Sequence, residues 1–485
     1  MNSEHQTHDG LILALACVAQ FMVVLDVSIV NVALPSIGHD LHYSATGLQW
    51  VVNAYVLTFA GFLLLGGRTA DLFGRRRMFV AGLGLFVVAS LLGGLAQNAG
   101  ELTAARAAQG LGGAVLSPAT LTIIMTTFTE GEGRHRALGA WSAVAGLGGA
   151  FGVILGGVLT SYLSWRWVLF VNIPIGGAAM LAAFSLLSES RREDADRRLD
   201  VPGAILATAG LALLVYAIVG TDVHPWGSGR TIGLLIAAFA LLIIFVYSQT
   251  RVPSPLMPLS LFNSRWVTSA NVVMLLLGVV FFSMWYFLSL YLQDVHGYGP
   301  LKAGLLFLPM SVAIIAGAQT AGRTLAKFGP RRLLFVGLAL GAGGFAWLSQ
   351  LHATSSYAGG LLGGTLLISF GTGLSFAPLA SAATTGVHWT QAGLASGVLN
   401  TSRQVGGSIG LAALATVATD RTSHYASHAA QAAQDIHRAA LTAGYDRAFL
   451  VAAVIVGVAA LCTLRIPELA RQPVVEPEPY VAVAD

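Results

Sequence analysis

The chain has 485 residues, of which 55% are hydrophobic and only 10% charged, with a formal net charge of +4. An average soluble domain carries about 25% charged residues, so 26 basic and 22 acidic side chains could not clothe a soluble core of this length. A mean hydropathy of +0.73 agrees; the composition indicates a membrane protein, and the small positive balance is no sign of a nucleic-acid partner.

The polar N-terminus, MNSEHQTHDG, has no basic n-region and leads into an apolar stretch too long for a signal peptide. It reads as a short cytoplasmic tail. A membrane-crossing helix needs about 20 mainly apolar residues, and that ruler predicts fourteen spans: 11–34, 48–67, 78–97, 101–125, 136–162, 166–188, 201–220, 230–248, 266–293, 302–325, 332–351, 356–382, 391–419 and 447–465. Lysine and arginine in the connecting segments favour the N-terminal side by three to one, which predicts that both termini are cytoplasmic. Cys17 and Cys462 both lie in apolar segments and imply no disulfide framework.

GRTADLFGRRR (Gly67–Arg77) and GRTLAKFGPRR (Gly322–Arg332) share seven of eleven positions. Each follows one span and precedes another, the arrangement expected of two related halves in a secondary transporter. The copies follow spans two and ten, so two spans are extra, and 201–248 is their natural place. It is bounded by the charged run SESRREDADRRLD and the proline-rich VPSPLMPL. The expected organisation is a six-helix bundle (1–188), a linker with two extra helices (189–261), a second six-helix bundle (262–467) and a cytoplasmic tail (468–485).

The chain resembles the major facilitator superfamily, in particular its fourteen-span drug:proton antiporters. LDVSIVNVALP (25–35), the hairpin at 67–77, RAAQGLGGA (106–114) and GAFGVILGG (149–157) are similar to that group's motifs. So are SWRWVLFVNIPIG (164–176), YLQDVHGYGPLKAGLLFLP (291–309) and SGVLNTSRQVGGSIG (396–410). The resemblance implies an all-α integral membrane fold of two pseudo-symmetric bundles plus two central helices. Two positions depart from the family pattern: Leu72 stands where the loop motif has arginine, and Val153 where the fifth-span motif has proline.

Asp26 lies inside span one, where an ionised carboxylate costs a few kcal/mol unless paired or hydrated. That makes it a candidate for reversible protonation, a helix-packing role being the alternative. Arg106 lies at similar depth in span four; it is read as a proton-coupling partner or as half of a permanent ion pair. Asp71, Gly67, Gly74, Arg75 and Arg76 form a candidate gate, in which Asp71 faces a helix N-terminus and the arginines hold the loop at the anionic membrane surface. The second copy has Ala326 in place of the acid. Gly148, Gly152 and Gly156 recur every four residues in span five and permit close helix approach. They serve packing, and a moving interface would need them too.

Candidate cavity residues are Asn31, Asn53, Tyr55 and Gln109 in the first half, and Trp285, Tyr286, Asn400, Arg403 and Gln404 in the second. The aromatics of span nine could bind flat or cationic molecules or simply pack, and the Arg403 cluster could line the cavity or cross-link helices. His424 and His428 have no third ligand at good spacing and read as an amphipathic cap, with no metal. The expected activity is proton-coupled efflux of amphipathic neutral or monocationic drugs by alternating access from the cytoplasmic membrane. A dedicated exporter or importer of one metabolite, lipid or siderophore is the alternative. The expected partners are the lipid bilayer, protons and a small amphipathic substrate, with no cofactor and no obligate protein partner; no nucleophile or metal spacing supports an enzyme.

Overall fold

In a computed structural model the described residues are 2–44, 46–128, 132–189, 199–387, 391–428 and 433–467, and they contain helices and no strand. The first bundle comprises α1 (Asn2–Asp40), α2 (Trp50–Phe73), α3 (Arg75–Gly94), α4 (Ala99–Thr127), α5 (Glu132–Tyr162), the short α6 (Trp167–Phe170) and α7 (Asn172–Leu186). Two further helices follow, α8 (Val201–Val219) and α9 (Gly229–Gln249). The second bundle holds α10 (Arg265–Leu290), α11 (Pro300–Leu306), α12 (Leu308–Leu348), α13 (Leu362–Thr384), α14 (Ala392–His428) and α15 (Ala433–Cys462).

Local chemistry sets the helix starts. Asn98 caps α4 by accepting from the Glu101 N–H at 3.0 Å, while the Glu101 carboxylate accepts from the Gln97 N–H at 2.7 Å. Asp200 caps α8 through the Gly203 N–H at 2.8 Å, and Pro202 occupies the first turn. Both copies of the repeat turn on a glycine at positive φ, Gly74 at 103° and Gly329 at 73°, a conformation side chains with a Cβ adopt at a cost. At Gly74 the chain passes between two helices. At Gly329 the backbone leaves helical geometry and Pro330 opens the next helix, so the stretch labelled α12 is two helices meeting at a kink and holds both of the spans predicted at 302–325 and 332–351.

Among the described residues eleven segments are long and apolar enough to cross a membrane, one of them the whole stretch Pro300–Leu348. α5 and α14, which hold the predicted spans 136–162 and 391–419, are not among the eleven, although they run for 31 and 37 residues. The charged run at 190–198 and the tail at 468–485 lie outside the described residues.

The bundles touch along α2 and α14, where Gly397 lies against Leu64 near the hairpin, and along two seams at the end away from the hairpins. Ser289 and Gln293 donate to the Asn31 and Val32 carbonyls at 2.6 and 3.0 Å, joining α10 to α1. Gly157 of α5 lies against Pro300 and Leu301, and Gly304 of α11 lies against the Val153 backbone. Val153 is fully buried there, and α5 runs through it without a break. α8 packs on α2 and α14, with α9 against it, and the Thr416 hydroxyl reaches the Ile218 carbonyl at 3.3 Å.

Candidate functional site

Five helices of the first bundle converge on Asp26. Arg106 Nη1 donates to its Oδ2 at 2.5 Å, and Oδ1 accepts from Gln109 Nε2 at 3.1 Å and Asn172 Nδ2 at 2.9 Å. Ser90 on α3 supports both amides, with its Oγ 2.6 Å from Gln109 Nε2 and 3.4 Å from Asn172 Nδ2. Arg106 also donates to the Gln109 Oε1 at 2.8 Å and to the Val51 carbonyl at 3.0 Å, and its guanidinium stacks over the Tyr55 ring at 4.5 Å. Asp26 is 0% exposed and Arg106 2%.

A buried pair of this kind is weak evidence for stability, because desolvating two charges costs about as much as their attraction returns. Here Arg106 Nε and Nη1 and both Asp26 oxygens have hydrogen-bond partners. Two polar atoms beside the pair are buried with no partner: the Tyr55 hydroxyl and Asn172 Oδ1. An acceptor and a hydroxyl are thus available to whatever the carboxyl becomes.

Sequence depth alone brings Asp26 and Arg106 together. Gln109 and Tyr55, expected in the cavity, take part in this network: Gln109 sits one helical turn from Arg106, and Tyr55 stacks on Phe59 and meets Phe86 edge-on. Asn31 donates to the Val27 carbonyl of its own helix at 2.8 Å, and Asn53 to Gln49 Oε1 at 3.4 Å. Asn172 and Ser90 were not singled out by sequence reasoning. The available signal was an isolated polar residue in an otherwise apolar stretch, Ser90 in 78–94 and Asn172 in 167–184.

The glycine stripe lies inside the first bundle. Gly148, Gly152 and Gly156 press on α1 at Val24, Ser28 and Ile29, and the Ser28 hydroxyl donates to the Gly148 carbonyl at 3.0 Å. The residues of α5 that reach the second bundle are Val153, Gly157 and Ser161, whose hydroxyl accepts from the Leu301 N–H at 3.1 Å. The hairpin arginines are held by protein groups: Arg68 donates to the Ser254 carbonyl at 2.8 Å, Arg76 to the Phe184 carbonyl at 3.0 Å, and Arg77 faces Glu189 at 3.5 Å. Gly67 lies in ordinary contact with Pro118, and the Asp71 side chain lies outside the described residues, as does that of His428. Arg75 also has a partner.

In the second bundle Arg403 donates to Asn400 Oδ1 at 2.9 Å on its own helix and lies 5.9 Å from the Phe376 ring. Gln404 is buried with its Oε1 unpartnered. Trp285 packs on Phe307 at 5.2 Å, and the buried Tyr286 meets Phe287 edge-on at 5.4 Å. Beyond the end of α10, burial and then the Arg438 and Lys302 charges hold the His296 imidazole below its usual range, so it stays neutral at pH 7.

The sequence matches the Major Facilitator Superfamily over residues 16–411. It is 45% identical over 462 residues to the cephamycin export protein CmcT of Amycolatopsis lactamdurans, covering 95% of this chain and 93% of that one. It is 42% identical over 408 residues to the puromycin resistance protein pur8 of Streptomyces alboniger, covering 84% and 80%. Among solved structures, a bacterial homologue of the human lysosomal transporter Spinster superposes with a TM-score of 0.67 at 16% identity, covering 95% and 98%. Spanning the membrane many times and built on this fold, the chain belongs to the Major Facilitator Superfamily of transporters.

Proposed function

We propose that the chain is a proton-coupled exporter of amphipathic, neutral or monocationic antibiotics, with Asp26 as the proton carrier. The observation that carries this reading is a fully buried carboxylate held by Arg106, Gln109 and Asn172, with an unpartnered acceptor beside it. In the ionised state three donors face the carboxylate. Protonation removes its charge and turns one oxygen into a donor, so rotation of the Asn172 amide offers Oδ1 as the acceptor. Arg106 then loses its counter-charge and is drawn towards other acceptors, the event that would bias the bundles. The relatives' names, cephamycin export and puromycin resistance, support antibiotics as cargo.

The organisation that goes with this reading has fourteen spans in the cytoplasmic membrane and both termini inside. Its units are the bundles 1–188 and 262–467 around the pair within 189–261, with 468–485 as tail. The turn at Gly329 and the length of α5 and α14 support the count. With that orientation the α1–α10 and α5–α11 seams lie on the outer side, and the conformation described is closed outwards. Asp71, Gly67, Gly74, Arg75 and Arg76 form the hinge at the inner side. Gly148, Gly152 and Gly156 let α1 and α5 move as one. Asn31, Asn53, Trp285, Tyr286, Asn400, Arg403 and Gln404 belong to the cargo path.

Moving one charge through the membrane potential supplies about 2.3 kcal/mol per 100 mV, a factor of about 50 in cargo gradient. Everted membrane vesicles holding an acidic interior test the reading. Adding a transported antibiotic should dissipate the pH gradient with the wild type and leave it intact with Asp26→Asn; equal dissipation by both would remove Asp26 from the mechanism. A narrower reading, one dedicated cargo, is favoured by relatives named for single antibiotics. A resistance panel in a pump-deficient host separates the two.

A further inference from the structure

On the outer flank of the first bundle, α2, α4 and α8 enclose a groove of about 670 Å³. That volume lies within the range of roughly 300–1,000 Å³ typical of ligand sites. Its walls are made of small residues, chiefly Ala54, Ala104, Ala107 and Ala212, where larger side chains would have closed the gap between the helices. The groove has a floor: Gly61 of α2 approaches Thr208 of α8 so closely that a Cβ would overlap the threonine hydroxyl. From Trp50 at its mouth to Thr58 near the floor the α2 wall rises about 12 Å at ~1.5 Å per residue. That is close to one leaflet of a hydrocarbon core about 30 Å thick.

The mouth has a different character. Trp50 and Tyr216 meet at 6.4 Å, an aromatic pair of the kind that marks a membrane–water interface. Arg230, at the start of α9, donates to the Tyr216 hydroxyl at 2.9 Å and bonds the His224 ring. Of five guanidinium N–H groups these two bonds use two, and the exposed side chain keeps the rest for a ligand. His42 also lines the mouth, and no carboxylate is among the lining residues.

An apolar slot opening into hydrocarbon is filled by hydrocarbon, and a fixed cation with free N–H groups above it selects a phosphate-bearing anion. We propose that the groove binds one anionic phospholipid, an acyl chain lying between α2, α4 and α8 and the headgroup phosphate at Arg230. The extra helix pair then has a defined role, in which α8 supplies the third wall of the slot and α9 the cation above it.

The test uses the full-length chain in detergent, equilibrated with equal amounts of phosphatidylglycerol and phosphatidylcholine of identical acyl chains, with bound lipid read by native mass spectrometry. The wild type should retain one phosphatidylglycerol with a several-fold preference. Arg230→Gln should reduce that preference to parity, and Ala212→Trp or Ala104→Trp should abolish retention in chains that elute as folded monodisperse protein. Parity in the wild type, as a non-selective annular lipid or a drug occupant would give, overturns the assignment. So does undiminished retention in both tryptophan variants. Transport plays no part in the readout, so failure here leaves the export reading untouched, and the reverse holds too.

Discussion

The two bundles treat the arginine within a helix, the buried Arg106 and the half-buried Arg403, in opposite ways. In the first, Arg106 meets a carboxylate, an amide, a backbone carbonyl and an aromatic face, contributed by three different helices. In the second, the described partners of Arg403 are Asn400, one turn away on the same helix, and the Phe376 ring. Arg68, Arg76 and Arg77 of the first copy are tied to α7 and the segment before α10, whereas Lys327 of the second lies over its neighbour Phe328. Both halves thus keep the hairpin turn, and the buried Asp26–Arg106 pair lies in the first. A cation neutralised by an acid changes its surroundings when the acid takes a proton, and one bonded to a neutral amide does not.

The contrast can be broken by substitution. Arg106→Leu leaves Asp26 buried and unpaired, and thermal unfolding in detergent should report a loss of about 3–5 kcal/mol. Adding Asp26→Asn in the same chain should restore much of it, because the two effects couple through contact. Asn172→Ala removes one donor to a charged acceptor and should cost about 1.5–3 kcal/mol in the same assay. Arg403→Gln breaks an i, i+3 contact and should change stability by no more than about 0.5 kcal/mol. It should shift the range of antibiotics resisted while leaving proton uptake unchanged. If Arg403→Gln proves as costly as Arg106→Leu, the asymmetry between the bundles is not energetic.

Much of this was legible in the sequence, for identifiable reasons. Apolar runs follow from the bilayer, the glycine of each hairpin marks a turn, and depth along a helix was enough to pair Asp26 with Arg106. The rest depends on which way a helix is turned. Gln109 and Tyr55 are polar residues in apolar spans, equally compatible with a cavity and with a buried network; only the packing of α2 against α4 turns them to Arg106. Ser90 and Asn172 join the carboxylate because α3 and α7 pass beside α1, a neighbourhood that spacing along the chain does not encode. The stripe Gly148, Gly152 and Gly156 marked a close approach correctly but not its partner, which is α1. The backbone of Val153 meets Gly304 across the bundles, a contact invisible until the halves are assembled.

The central claim is that Asp26 exchanges a proton as cargo binds, and the most direct measurement is proton release from the purified, detergent-solubilised chain in weak buffer. Adding an antibiotic that the wild type exports should release protons in proportion to binding, and Asp26→Asn should bind the same antibiotic with no release. Release of equal size from both proteins, or none from a wild type that demonstrably binds its cargo, would contradict the account.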